Sequence, residues 1–148
     1  KAMNMVQVYI KGQEDKELNC FLRYYPVRIK NIGMDAFFDR QVVYDFKDGR
    51  NHADVAKCVA KMLIKVVGER TAVHGTKVKK EERAKRLKEK NNIEVDANFF
   101  KNKIVCIWDD VVTTGTSFCA YTAQLEQVGA HVTNGIFLGK TSYKYVQQ

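Results

Sequence analysis

The N-terminal part of the chain alternates apolar and polar residues with the two-residue period of β-strands. Residues 18–25 follow this alternation as a half-buried strand does, and residues 5–10 form a second strand-like run. Polar residues 11–16 between them contain a glycine, as a hairpin loop would. A third β-prone run, Val42–Phe46, stops at an Asp-Gly turn signal. We therefore expect the N-terminal portion, residues 1–46, to be β-rich.

The helical period first appears in residues 51–67. One apolar stripe recurs there at three- and four-residue spacing, made of Val55, Ala56, Val59, Met62, Leu63 and Val66. Asn51 is a residue type favoured at a helix N-cap, so we expect a helix from Asn51 to about Val67. Residues 79–90 also favour a helix. Few of them are apolar, and their opposite charges four residues apart are typical of a solvated helix.

The last third of the chain has the order strand, loop, helix, strand. The nearly continuous apolar run Ile104–Trp108 is typical of a buried parallel strand, and residues 109–114 are expected to form a loop. A helix is expected from 116 to about 128, where a glycine ends it, and Val132–Leu138 is the next strand. Because this order implies a parallel crossover, we expect an α/β fold with a parallel sheet and flanking helices.

Length and composition narrow the class of protein. The 148 residues suffice for one domain with a real core, and no linker divides them, so 1–148 is expected to be a single domain. No apolar run approaches the roughly 20 residues of a membrane span, and the first ten residues lack a secretory signal pattern. The cysteines lack metal-binding or disulfide spacing. These features predict a cytoplasmic protein with no membrane partner.

The positive charge of the chain is concentrated in one block. Lys and Arg outnumber Asp and Glu by 25 to 17, which gives a net charge of +8. Eight of the basic residues and only three acids fall within Lys77–Lys90, so +5 of the total lies there. A basic chain with a basic block is typical of nucleic-acid binding. Nucleic acid is therefore one candidate partner.

The most informative chemistry follows the apolar run that ends at Trp108. Asp109 and Asp110 come next, at the carboxyl end of a strand, where α/β sheets bind ligands. The hydroxyl-rich loop Thr113–Ser117 then opens onto a helix, whose free N–H groups and dipole favour phosphate. Gly115 permits the close backbone approach that a phosphate needs. Two acids before a phosphate loop suit a sugar phosphate, because carboxylates accept hydrogen bonds from vicinal ribose hydroxyls.

This segment, Ile104–Ser117, resembles the signature of the type I phosphoribosyltransferases, which bind 5-phosphoribosyl 1-pyrophosphate (PRPP) with Mg²⁺. The resemblance implies the type I phosphoribosyltransferase fold. It also implies that Asp109 and Asp110 hold the ribose hydroxyls and Mg²⁺, the metal directly or through water. The residues implied to hold the 5′-phosphate are Thr113, Thr114, Gly115, Thr116 and Ser117.

Less specific matches extend the resemblance to the ComF-like (competence-protein) branch of the family. The Lys-x-Gly-Arg-like turn of that branch corresponds to Phe46–Arg50. Its flexible loop, a following basic residue and an asparagine correspond to Glu69–His74, Arg83 and Asn92. The residues that the resemblance implies as flexible-loop contacts to the substrate are Arg70, His74 and Lys77.

Two departures from the family pattern change these expectations. The hypoxanthine-type enzymes carry an aspartate at the position of Thr113, where it assists proton transfer, so the resemblance argues against a 6-oxopurine acceptor. The family also has a strand and a pyrophosphate-binding loop between its first helix and its flexible loop. This chain passes from Val67 into polar residues with no run that could form them. We therefore expect a segment of the family fold to be missing near Gly68–Glu69.

The resemblance implies a PRPP-binding enzyme that transfers phosphoribose to a nitrogen acceptor, releases pyrophosphate and uses Mg²⁺. Its small-molecule partner would be PRPP or a nucleoside monophosphate. Two alternatives stay open: a non-catalytic regulator of the same fold that senses PRPP or nucleotides, and a nucleic-acid-handling accessory protein of the competence type. The aromatic residues are expected in the core or in a homodimer interface. Gly139-Lys140-Thr141 looks like the end of a P-loop but lacks its first glycine, so we expect a strand end there.

Overall fold

Three parallel strands and one short antiparallel strand form a mixed sheet. The structure is a computed structural model, and it describes residues 5–68 and 95–146. The strands are β1 (Val6–Gln7), β2 (Glu17–Tyr24), β3 (Ile104–Val112) and β4 (His131–Thr141). Their order in the sheet is β1-β2-β4-β3, with β2 and β3 both parallel to β4 and β1 antiparallel to β2. The expected α/β class, with parallel strands and flanking helices, is confirmed.

Helices cover both faces of this sheet. They are α1 (Met34–Lys47), α2 (His52–Val67), α3 (Ala97–Phe100) and α4 (Thr116–Gln127). On one face Val43 of α1 and Val55 of α2 belong to the same core cluster as Ile136 of β4. On the other face Phe118 of α4 packs with Phe137 of β4. Because neighbouring residues of a strand point to opposite faces, the two clusters lie on the two sides of β4.

The N-terminal portion contains less β-structure than the sequence predicts. The hairpin is present, but β1 has only two residues, and the central residues of β2 are buried on both faces. The β-prone run Val42–Phe46 lies in helix α1, so the strand prediction there is wrong. Ala36 and Val43, seven residues apart, both point into the core. Packing of that helical stripe against the sheet outweighs the local preference of the β-branched valines.

Two further boundaries differ from the prediction near the acidic residues. The strand-like run Phe99–Lys103 instead begins in helix α3, where the Asp96 carboxylate accepts a hydrogen bond from the Phe99 N–H at 3.1 Å. The loop predicted for residues 109–114 is also shorter, because β3 continues to Val112. Pairing of Val111 with Gly139 and Val112 with Lys140 extends the strand. The two aspartates are thus strand residues.

The predicted helix after Asn51 is confirmed as α2, with a different start. Asn51 has a left-handed backbone conformation, and its side chain makes no capping bond. Its amide instead donates to the Asp45 carboxylate at 3.3 Å. The helix ends at Val67 with Gly68 as its C-cap, while Glu69 lies outside the described residues, so the missing segment expected at this junction stays a prediction. Within the described ranges, no helix is long and apolar enough to cross a membrane.

Candidate functional site

The carboxyl ends of β3 and β4 bring the predicted site residues to one edge of the sheet. Asp109 and Asp110 lie near the end of β3, and the loop after it leads into α4. Lys140 and Thr141 end the neighbouring strand β4, which pairs with β3 in parallel. This is the edge at which α/β sheets bind their ligands.

Backbone hydrogen bonds and one lysine hold the acidic pair, Asp109 and Asp110. The Asp109 carboxylate accepts a hydrogen bond from the Asp110 N–H at 2.8 Å, and the Asp110 carboxylate accepts one from the Val111 N–H at 2.7 Å. The other oxygen of Asp110 lies 3.7 Å from the Lys47 ammonium at the end of α1. Each carboxylate therefore has one oxygen fixed by the backbone.

The pKa of Asp109 is raised from 3.8 to about 6. Desolvation by the surrounding protein is the largest cause, although Asp109 is exposed to solvent, which weakens this effect. The Asp110 carboxylate raises this pKa further through its negative charge, whereas the Asp110 N–H and the Lys47 ammonium lower it. A perturbed carboxyl beside a second carboxyl at a sheet edge is typical of functional sites and also of structural charge networks.

Side-chain and backbone contacts hold the threonine-rich loop, Thr113–Ser117. The hydroxyls of Thr113 and Thr141 lie 2.8 Å apart, and the Lys140 ammonium donates to the Thr113 carbonyl oxygen. Within the loop, the hydroxyls of Thr114 and Thr116 lie 2.9 Å apart. The end of β4 thus fixes the start of the loop.

Gly115 is buried, and two independent constraints require a glycine there. Its φ of +86° is a left-handed conformation that side chains rarely adopt. A Cβ added to it would also lie 2.6 Å from Ile10 Cγ2, so the hairpin side packs directly against the loop. The glycine therefore has a packing role as well as the role expected from phosphate approach.

The start of α4 leaves backbone N–H groups without partners inside the helix. The N-cap is Gly115, which has no side chain to cap them. The first helical hydrogen bond is donated by the Cys119 N–H to the Gly115 carbonyl oxygen at 2.9 Å. The N–H groups before it consequently have no intrahelical acceptor, and the side chains of Thr116 and Ser117 are exposed. Such a helix start favours an anion.

Sequence reasoning missed Lys47, Lys140 and Thr141. Lys47 falls in the turn that the resemblance singled out, but only the fold brings it to Asp110. Gly139-Lys140-Thr141 is a strand end, as predicted, and its Thr141 hydroxyl also contacts the Thr113 hydroxyl. The expected flexible-loop residues Arg70, His74 and Lys77 lie outside the described residues.

The acidic pair fits Mg²⁺ only as a partial ligand set. In residues 5–68 and 95–146, no group of three His, Cys, Asp or Glu side chains could hold a metal ion. Two carboxylates alone suit Mg²⁺, which commonly takes one or two carboxylates and completes its shell with substrate phosphates and water. A metal here would therefore depend on a phosphate-bearing ligand.

Comparison with known proteins does not assign the chain to a family. No protein-family model, no curated protein and no solved structure matches it. The class of protein that the fold defines is an α/β protein with a mixed four-stranded sheet and flanking helices. Function beyond this class rests on the site itself.

Proposed function

We propose that this protein is a phosphoribosyltransferase of the type I fold, which uses Mg²⁺ to transfer phosphoribose from PRPP to a nitrogen acceptor. One observation carries the proposal: an acidic pair and a hydroxyl-rich, uncapped helix start meet at the carboxyl edge of a parallel sheet. The acidic pair matches the hydroxyls of a ribose, and the helix start matches its phosphate. Resemblance of Ile104–Ser117 to the family signature supports the same ligand.

In this proposal the threonine-rich loop binds the 5′-phosphate of PRPP. The N–H groups at the start of α4 and the hydroxyls of Thr114, Thr116 and Ser117 would donate to the phosphate oxygens. Asp109 and Asp110 would accept hydrogen bonds from the ribose hydroxyls and supply carboxylate oxygens to Mg²⁺. When bound, Mg²⁺ would stabilise the charge of the pyrophosphate leaving group.

The proposed reaction is a displacement at the anomeric carbon. The lone pair of the acceptor nitrogen forms the new bond to this carbon, while the bond to the pyrophosphate oxygen breaks and its electron pair leaves with pyrophosphate. The acceptor nitrogen gives up one proton to solvent. The residues described at the site contribute by fixing the ribose and the phosphate, so positioning would supply most of the rate enhancement.

The proposed acceptor is a nitrogen compound other than a 6-oxopurine. The Thr113 hydroxyl is bonded to the Thr141 hydroxyl, and a threonine cannot act as a carboxylate base. The enzyme would therefore act on a nitrogen that needs no acid–base partner at this position. We also propose a cytoplasmic location, because the cysteines lack the spacing of a disulfide scaffold, as in proteins of a reducing compartment.

Isothermal titration calorimetry of the full chain with PRPP and Mg²⁺ tests the proposal. We expect saturable binding that Asp110→Asn reduces at least about tenfold, since a charged hydrogen-bond acceptor of the ligand is lost. Asp35→Asn is the matched control, because Asp35 lies in the first turn of α1, about 18 Å along the helix from Lys47. Equal losses in the two variants, or no binding by the wild type, would contradict the proposal.

Pyrophosphate release separates the enzyme from a regulator that only binds PRPP. With a suitable nitrogen acceptor, the enzyme releases one pyrophosphate for each phosphoribose transferred, and a regulator releases none. A nucleic-acid-handling protein differs from both, because its binding would fall steeply with salt and survive Asp110→Asn.

A further inference from the structure

The residues around Lys47 hold its backbone near the acidic pair. It is the last residue of α1, where a lysine also interacts favourably with the helix dipole. The preceding Phe46 ring packs edge-on against Trp108 of β3 at 6.2 Å and stacks on His52 at 4.4 Å. Because Trp108 lies two residues before Asp110, this packing holds the backbone of Lys47 beside the pair.

The contact between Lys47 and Asp110 is held by charge and is open to exchange. Its 3.7 Å separation exceeds that of a direct N–H···O hydrogen bond. The Lys47 side chain is 42% exposed and the Asp110 side chain 36% exposed, so water competes for both groups. An ion pair of this kind contributes little stability, and the long lysine side chain can turn away without unfolding the helix.

The ammonium also faces the Asp110 oxygen that the backbone leaves unbonded, so a divalent cation bound to this oxygen would lie near it. Asp110 uses one oxygen for the Val111 N–H, and the oxygen that faces Lys47 is the one left for a cation. A metal ion arriving alone would have to compete with the ammonium and would also be repelled by it. A metal ion arriving with an anionic ligand brings negative charge to which Lys47 can turn.

We propose that Lys47 is an exchangeable counter-ion of the acidic pair. In the free protein it pairs with Asp110, and in the complex it pairs with the pyrophosphate of the bound ligand, which rests on the function proposed above. Lys47 then has two opposite effects. It weakens binding of a divalent cation alone, and it strengthens binding of the ligand together with the cation.

Electron paramagnetic resonance of Mn²⁺ tests the first effect without any turnover. Free Mn²⁺ is measured in titrations of wild-type protein, Lys47→Met, Lys47→Arg and the control Lys65→Met, in which a lysine in the last turn of α2 is removed. We expect Lys47→Met alone to bind Mn²⁺ at least about threefold more tightly, the size expected for loss of one partly exposed ion pair. Unchanged or weaker Mn²⁺ binding in Lys47→Met would overturn the proposal.

Calorimetry with PRPP and Mg²⁺ tests the second effect on the same variants. We expect Lys47→Met to bind PRPP about tenfold more weakly, with Lys47→Arg close to wild type and Lys65→Met unchanged. Unaltered PRPP affinity in Lys47→Met would overturn the pairing with pyrophosphate. If wild-type protein fails to bind PRPP, the proposed function and that pairing both fall. The Mn²⁺ titration still decides whether Lys47 is the counter-ion in the free protein.

Discussion

The threonine-rich loop and the acidic pair lie at the same edge of the sheet, yet their surroundings differ. Contacts with the rest of the protein fix the loop from two sides: Thr141 and the Lys140 ammonium bond to Thr113, and Ile10 packs against Gly115. The acidic pair has backbone bonds to one oxygen of each carboxylate, and among the described residues a partly exposed lysine pairs with Asp110. The loop is fixed at Thr113 and at the buried Gly115 by neighbouring elements, whereas the acidic pair is held partly by a charge contact that solvent and ligands can rearrange.

This difference indicates how the two regions would take part in binding. A loop already in its final shape can bind a phosphate with little loss of conformational freedom. In the proposed function a cation and a ligand would complete the acidic pair, and the Lys47 contact would be the part that changes. Substitutions in the loop should therefore alter both stability and binding, whereas substitutions at the pair should alter binding with small effects on stability.

The largest effect is expected from Gly115→Ala. The new Cβ would be strained by the φ of +86° and would lie 2.6 Å from Ile10, so we expect a loss of about 3 kcal/mol in the free energy of unfolding. PRPP binding should fall below detection, because the loop must shift to relieve the contact. Urea denaturation and calorimetry measure the two losses.

Gly12→Ala is the matched control for this substitution. Gly12 has the same φ of +86°, but a Cβ there meets nothing within 4 Å. Backbone strain alone should lower the free energy of unfolding of Gly12→Ala by about 1 to 2 kcal/mol. Its PRPP affinity should be unchanged. If the two variants lose equal stability, packing of Ile10 against the loop contributes nothing.

A smaller effect is expected from Thr141→Val, which keeps the shape of a buried residue and removes its hydroxyl. Loss of the bond to Thr113 should cost about 1 kcal/mol of stability and about three- to tenfold in PRPP affinity. Thr133→Val, at the opposite end of β4, removes a hydroxyl bonded to Asn134 and should leave affinity unchanged. Wild-type affinity in Thr141→Val would show that the loop needs no support from β4.

The smallest change in stability is expected at the acidic pair, through the pKa of Asp109. Since this pKa is about 6 in the folded protein and 3.8 for the unperturbed group, the folded state binds more protons between these values. The free energy of unfolding should therefore fall as pH rises from about 4 to 6, and Asp109→Asn should remove that fall. After allowance for solvent screening, the gain at pH 7.5 should be below about 1 kcal/mol.

The affinity for PRPP should also depend on the protonation of Asp109, and it should change with pH in the direction opposite to stability. Acidification through pH 6 protonates Asp109, so the affinity for PRPP with Mg²⁺ should fall just where folding stability rises. Denaturation and calorimetry between pH 5 and 8 compare the two trends. Parallel trends in stability and affinity would contradict the assignment of Asp109 to the binding site.

The order of residues along the chain predicts the part of the site that lies in one segment. The run from Ile104 to Ser117 supplies a strand, two acids, a loop and a helix start without any long-range information. Lys47 and Thr141 could not be found in this way, because they reach the site only through helix packing and strand pairing. The second constraint on Gly115, from Ile10, is equally a tertiary contact.

The fold shows the same limit in its N-terminal half. Local preference favours a strand at Val42 and Val43, but as part of a helix Val43 packs into the core against Ile136 and Leu138 of β4. The sequence predicts an end of β3 before Asp109, because aspartates disfavour strands, whereas pairing with Gly139 and Lys140 continues the strand to Val112. By contrast, α4 and β4 could be predicted, since the apolar pattern of each segment agrees with the residues that it buries in the structure.

The central claim is that PRPP binds across the acidic pair and the threonine-rich loop. The most direct measurement is a two-dimensional ¹H–¹⁵N correlation spectrum of the 17.0 kDa chain during titration with PRPP and Mg²⁺. We expect saturable shifts centred on the amides of Asp110–Val111 and Thr114–Phe118, with the hydrogen-bonded amides of α2 unchanged. Shifts centred on the exposed lysines of α2, or no shifts in the presence of both ligands, would contradict it.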